Sequence, residues 1–191
     1  MPTLKYILQE HYLCPWDVSV CAEVAAQHGH LAVLQWLSTR NANSYLPLLD
    51  AGVCAEAASA GHLEVLVWLR SQQPPVPWHP KTCILAAAAA GHIHVLKFLQ
   101  DNAPADCWDD QVATVAARMS RLSVLRWLRS MRPVPCAWSE RTCAEAAAAG
   151  QLDVLQFLRD QQIGSVCPWD DRTTTAVSVL EDGDSAAHWF Y

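Results

Sequence analysis

A chain of 191 residues, 52% hydrophobic and only 17% charged, is long enough for one substantial domain. Its formal net charge of −6 at pH 7 argues against nonspecific nucleic-acid binding as its main task. The longest apolar run, near Cys83 to Ala90, falls far short of the about 20 residues that a membrane-crossing helix needs. Met1-Pro2-Thr3-Leu4-Lys5 lacks the basic-then-apolar pattern of a secretory signal. The eight cysteines are therefore expected to be reduced thiols inside a cell, in cytoplasm or nucleus.

In chain order, residues 1–13 read as a partial N-terminal unit. Leu4-Lys5-Tyr6-Ile7 matches Leu66-Val67-Trp68-Leu69, and Tyr6 precedes Trp16 by ten residues just as Trp68 precedes Trp78. One phrase then returns five times, first as Gly29-His30-Leu31-Ala32-Val33-Leu34-Gln35-Trp36-Leu37. It recurs from Gly61, Gly91, Ser120 and Gly150, in steps of 32, 30, 29 and 30 residues. Self-similarity at that period marks a stacked array of small units. The expected fold is an all-α solenoid of helix-turn-helix repeats of about 30 residues. The units are 14–46, 47–75, 76–105, 106–134 and 135–166, followed by a degenerate C-terminal cap unit, 167–191.

Each unit predicts two helices. Alanine pairs stand four and three residues before the anchor, at Ala25-Ala26, Ala57-Ala58, Ala87-Ala88, Ala116-Ala117 and Ala146-Ala147. Alanine is the best helix former, and its small side chain admits a neighbouring backbone. Gly29, Gly61, Gly91 and Gly150 then supply the left-handed residue that ends a helix, whereas the fourth unit has Ser120 there. After the anchor, apolar residues at +2, +4, +5, +7 and +8 form a wide stripe, which places Trp36, Trp68, Phe98, Trp127 and Phe157 in the core.

Between units runs a tryptophan connector: Cys14-Pro15-Trp16-Asp17, Pro77-Trp78-His79, Cys107-Trp108-Asp109, Cys136-Ala137-Trp138-Ser139 and Cys167-Pro168-Trp169-Asp170. Asp17, Asp109, Ser139 and Asp170 are expected N-caps. His79 is the weak member, with Pro80 following it in the first turn. At the second junction Leu48 stands where tryptophan is expected, after a longer polar stretch from Ser38 to Ser44. In the cap unit Gly183 and Phe190 keep the spacing, but Asp184, Ser185, Ala186 and Ala187 offer little apolar stripe.

The pattern Thr/Val-Cys-Ala-x-Ala-Ala-x-x-Gly-His-Leu-x-Val-Leu-x-Trp-Leu resembles an ankyrin repeat, and the Cys-Pro-Trp-Asp connector resembles a variant abundant in algae, other protists and giant viruses. That resemblance spans nearly the whole chain. It implies a noncatalytic scaffold that binds a protein partner through inner helices and connecting loops. Two departures stand out. Thr142-Cys143-Ala144-Glu145 and Lys81-Thr82-Cys83-Ile84 replace the usual Thr-Pro-Leu-His opening, and the tryptophan connector replaces the usual Gly-Ala-Asp-Val-Asn hairpin.

His28 and His30 lie near Cys14 and Cys21, and His92-Ile93-His94 follows later, but no Cys-x-x-Cys pair offers the tight spacing of a zinc site. His30, His62 and His92 are expected to bond a loop carbonyl in the turn. Arg121 and Gln151 fill the same slot, which a metal ligand set would not tolerate. The cysteines recur with the repeat, Cys14, Cys107, Cys136 and Cys167 in connectors and Cys21, Cys54, Cys83 and Cys143 on first helices. That periodicity suits packing rather than a unique nucleophile. Asp109-Asp110 and Asp170-Asp171 sit at helix starts, where capping explains them. No enzyme, cofactor or metal is expected, and the chain is expected to be a monomer.

One cluster breaks the periodicity. Between Val112 and Arg141 lie Arg118, Arg121, Arg126, Arg129, Arg132 and Arg141 against the single acid Glu140, a local charge of six minus one. The first five are the candidate partner-binding residues, for an acidic peptide, phosphate or polyanion, because arginine forks suit such groups. The competing reading of that cluster is a solvated outer helix face. The competing reading of the chain is a spacer segment of a longer repeat protein whose function lies elsewhere.

Overall fold

A computed structural model of the chain describes residues 17–40, 49–131 and 138–159. The partial unit 1–13, the cap unit 167–191, Arg132, Trp16, Leu48, Cys136 and Trp169 lie outside the described residues. Within them, all regular structure is helical and no strand occurs.

The helices come in pairs: α1 (Val18–Gln27) with α2 (Leu31–Arg40), α3 (Ala51–Ala60) with α4 (Leu63–Ser71), and α5 (Pro80–Ala90) with α6 (Ile93–Asn102). After a 3₁₀ turn, Ala105–Cys107, come α7 (Asp110–Arg118) with α8 (Leu122–Ser130), then α9 (Glu140–Ala148) with α10 (Leu152–Arg159). Every first helix packs on its own second helix, and successive first helices pack on one another, so α1, α3, α5, α7 and α9 touch in series. Contacts between successive second helices are sparser, and are found for α4 with α6 and for α6 with α8.

Capping follows the sequence closely. Asp17 accepts the Ser19 N–H at 3.1 Å, and the Ser19 hydroxyl with that N–H holds its carboxyl below the ordinary value. Asp109 accepts the Gln111 N–H at 3.2 Å. His79 stands at the N-cap of α5 without a side-chain bond, with Pro80 next to it in the first turn. At α9 the Ser139 N–H donates to Thr142 Oγ1 at 3.3 Å. The second junction corrects the expected register. The cap of α3 is Asp50, which accepts from Gly52 and Val53, so Leu49 and not Leu48 occupies the tryptophan slot. Leu49 packs against the core there.

The turn residue is left-handed in every pair, with φ of +68° at Gly29, +81° at Gly61, +92° at Gly91 and +70° at Gly150. Ser120 adopts φ +56°, so the serine keeps the conformation and carries its strain.

The core is built from branched aliphatics and small residues. In the second helices Leu34, Leu66, Leu96, Leu125 and Leu155 are fully buried or within 1% of it, as are Leu69, Leu99, Leu128 and Leu158. On the first helices all five alanine pairs are buried, along with Val53, Cys54, Cys83, Ile84 and Cys143. The aromatic position departs from expectation. Trp36, Trp68, Phe98 and Trp127 are only half-buried at the edge of the core, and Phe157 alone is buried. The connector tryptophans cover that edge: Trp108 meets Trp127 edge-on at 5.7 Å, and Trp138 meets Phe157 at 5.8 Å. Such ring pairs contribute about 0.5–1.5 kcal/mol beyond their buried area.

Candidate functional site

The turns are tied to one another by side chains. His62 Nε2 donates to Gln27 O at 3.1 Å, and His92 Nε2 donates to Ser59 O at 3.1 Å. Arg121 Nε donates to Ala89 O at 2.8 Å. All three acceptors lie two residues before the preceding turn glycine or its equivalent, where a helix leaves its last carbonyls without intrahelical partners. Burial holds the His92 imidazole below its ordinary pKa despite the bond to Ser59. His94 Nε2 adds a bond to Gly61 O at 2.8 Å. His30, which was expected to behave likewise, has its ring 6.0 Å from that of His28.

Arg121, one of the candidate arginines, thus closes the preceding helix with its guanidinium. Two more members are occupied as well. Arg129 Cζ sits 4.3 Å from the Trp138 ring centre, and Arg126 Cζ sits 5.7 Å from that of Phe157. With Trp138 against Phe157, these four side chains make one stack joining α8 to the next pair. Arg70 performs the same task earlier. Its Cζ lies 4.5 Å from the Trp78 ring centre, and its Nη1 donates to Val76 O at 2.9 Å. Arg118 alone, of the described candidates, lies elsewhere, at the C-terminal end of a first helix.

Arg118 belongs to a face that the sequence reading did not assemble. Along every first helix, positions three, four and seven before the turn residue are buried. Positions two, five, six and nine before it form the other side, with Thr114 their one buried member. These positions read Val20, Glu23, Val24 and Gln27 on α1, then Gly52, Ala55, Glu56 and Ser59 on α3. On α5 they are Thr82, Leu85, Ala86 and Ala89; on α7, Gln111, Thr114, Val115 and Arg118; on α9, Arg141, Ala144, Glu145 and Ala148. A groove of about 230 Å³ opens on this face across α5, α7 and α9. Leu85 and Val115 line it with apolar surface, and Gln111, Arg118, Arg141 and Glu145 bring polar ends.

Thr114 forms part of the groove wall and joins two pairs. Its hydroxyl donates to Asp110 O at 2.8 Å and receives the Thr142 hydroxyl at 3.1 Å. Arg141 Nε stands 3.8 Å from Glu145 Oε1 one turn along α9. Outside the groove, Lys81 pairs with the Asp109 cap, whose hydrogen bond raises the lysine pKa.

The thiols are placed for packing. Cys54 and Cys83 are fully buried, and desolvation pushes them to about 12 and about 11, far from a reactive thiolate. Among the described residues no three histidine, cysteine or acidic side chains converge as a metal site, and no helix is long and apolar enough to cross a membrane. No family model matches the chain, and no curated protein matches it either.

Proposed function

We propose that the chain is an ankyrin-type solenoid acting as a noncatalytic scaffold, which holds a protein partner across the exposed face of its first helices. The observation that carries this reading is the contrast between two sets of positions on those helices. Three and four before the turn, all five copies have alanine, and all are buried. Nine before it, the copies have Val20, Gly52, Thr82, Gln111 and Arg141, five different residues of which all but Gly52 are exposed. The fold constrains the first set and leaves the second to be tuned, which is how a stacked array gains a binding surface without disturbing its core. At interaxial distances of about 8–10 Å, five such helices present a strip of about 40 Å, the scale of an extended peptide or a protein edge.

The test is site-specific photocrosslinking in extract of the native cell. Benzoylphenylalanine at Gln111, on the first-helix face, should capture a defined partner. The same probe at exposed Lys97, on second helix α6, should not. Equal capture at both positions, or none at Gln111, would refute the reading.

A further inference from the structure

The groove across α5, α7 and α9 has the size of side chains and not of a metabolite. Small-molecule pockets usually enclose about 300–1,000 Å³, above the about 230 Å³ found here. Its floor is apolar at Leu85 and Val115, beside the already bonded hydroxyl of Thr114. Its rim carries two guanidiniums to one carboxylate. Arg118 is exposed and makes no ion pair among the described residues, while Arg141 reaches Glu145 only through a single contact at 3.8 Å. This positive excess sits on a chain of net charge −6.

The same face is acidic at its other end. Glu23 and Glu56 occupy the corresponding positions on α1 and α3, and a Cβ at Gly52 would come within 2.7 Å of Glu23 Oε1. Between the ends lie Ala55, Ser59, Ala86 and Ala89, small enough for a backbone to approach. A polyanion such as nucleic acid would meet Glu23, Glu56 and Glu145 along this strip, and so is disfavoured. Arg121, Arg126 and Arg129 are engaged in bonding or stacking and add no row of free cations.

We propose that the groove seats an extended peptide segment of the partner bearing an acidic side chain next to an apolar one. The carboxylate takes the Arg118 guanidinium, and the apolar side chain lies between Leu85 and Val115. This rests on the scaffold reading above and adds to it the chemistry of what is bound.

The experiment selects a phage-displayed library of random linear peptides on the full chain. The consensus peptide is then synthesised, labelled and titrated by fluorescence anisotropy. The expected consensus places Asp or Glu beside Leu, Ile or Phe. Its Kd should rise about tenfold or more in Arg118→Glu, as expected when a charge-assisted bond is replaced by repulsion. It should rise less in Arg118→Gln and Arg141→Gln, and should weaken with salt. Lys97→Glu, which makes the same charge change on a second helix, should leave it unchanged. Circular dichroism establishes that each variant is folded. A neutral or basic consensus that still crosslinks from position 111 overturns the acidic-peptide assignment and leaves the scaffold reading standing. Absence of any enriched peptide, or binding indifferent both to Arg118→Glu and to the probe at 111, overturns both. Displacement of the peptide by a single-stranded oligonucleotide, lost in Arg118→Glu, also overturns the assignment.

Discussion

Gly61→Ala should destabilise the chain for two separable reasons, and the structure says how to separate them. Gly61 has φ +81°, where an alanine side chain costs about 1–2 kcal/mol. A Cβ there would also fall 2.8 Å from Cε1 and Nδ1 of His92, closer than real contacts allow. The imidazole would have to leave, and its bond to Ser59 O would go with it, for about 0.5–1.5 kcal/mol more. The single substitution should therefore cost about 2–3 kcal/mol. In a His92→Ala background the ring is already absent, and only the backbone strain remains. The assay is a double-mutant cycle by urea unfolding, followed by far-ultraviolet circular dichroism. A coupling of about 1 kcal/mol is expected, well above the about 0.3–0.5 kcal/mol within which independent sites add. If Gly61→Ala costs the same in both backgrounds, the ring and the glycine are not packed together as described.

His92 also sets a pH dependence. Burial favours its neutral form, with His94, Arg121 and His62 acting in the same direction, so the folded pKa lies below that of the unfolded chain. The associated stability is complete above about pH 6.5 and is lost as pH falls through the folded value. His92→Gln should flatten the decline of the urea midpoint below pH 6.5, and an unchanged slope would disprove it. Iodoacetamide at pH 8, read by mass spectrometry, should leave Cys54 and Cys83 unmodified in the native state while the half-buried Cys21 and Cys107 react slowly. Labelling of Cys54 as fast as Cys21 would contradict the packing. Arg70→Met should cost about 1–2 kcal/mol in thermal or urea unfolding, because it removes both the bond to Val76 O and the stacking on Trp78. A loss below about 0.3 kcal/mol would mean that the arginine is merely surface.

Helix existence and order were legible because they follow local rules. The alanine pairs, the acidic caps and the turn glycines each act within a few residues, and Asp17, Asp109 and Gly61 sit as those rules require. The aromatic position was less legible because its surroundings are not local. The apolar stripe marks Trp68 as facing inward, but successive second helices touch only sparsely, and the ring is left half-buried at the core edge. The surroundings of the arginines were illegible for a similar reason. Arg126 and Arg129 share a helix face in sequence, and what occupies that face is Phe157 and Trp138 from the next unit. The groove residues Leu85, Gln111 and Val115 were missed outright, and Arg141 was counted in the arginine run without being taken as a candidate. Their signal was present in the variation between copies at positions two, five, six and nine before the turn, set against invariant alanines beside them.

The turns explain why two departures from the repeat belong together. An imidazole in the slot after the turn residue reaches back over the preceding turn, and its ring would meet a Cβ at 2.5 Å over Gly29 and 2.8 Å over Gly61. Glycine is thus required twice at these positions, by the backbone of its own turn and by the side chain of the next. Over Gly91 the slot holds Arg121, whose narrower alkyl chain would leave 3.2 Å to a Cβ while its Nε still bonds the helix end. At the following junction the turn residue is Ser120, which carries a real Cβ at φ +56°, and the slot facing it holds Gln151 instead of an imidazole. Loss of the ring removes one of the two demands for glycine, and only the backbone strain is left for the serine to bear. The glycine and the histidine of adjacent units therefore behave as one element of the fold, although about thirty residues separate them.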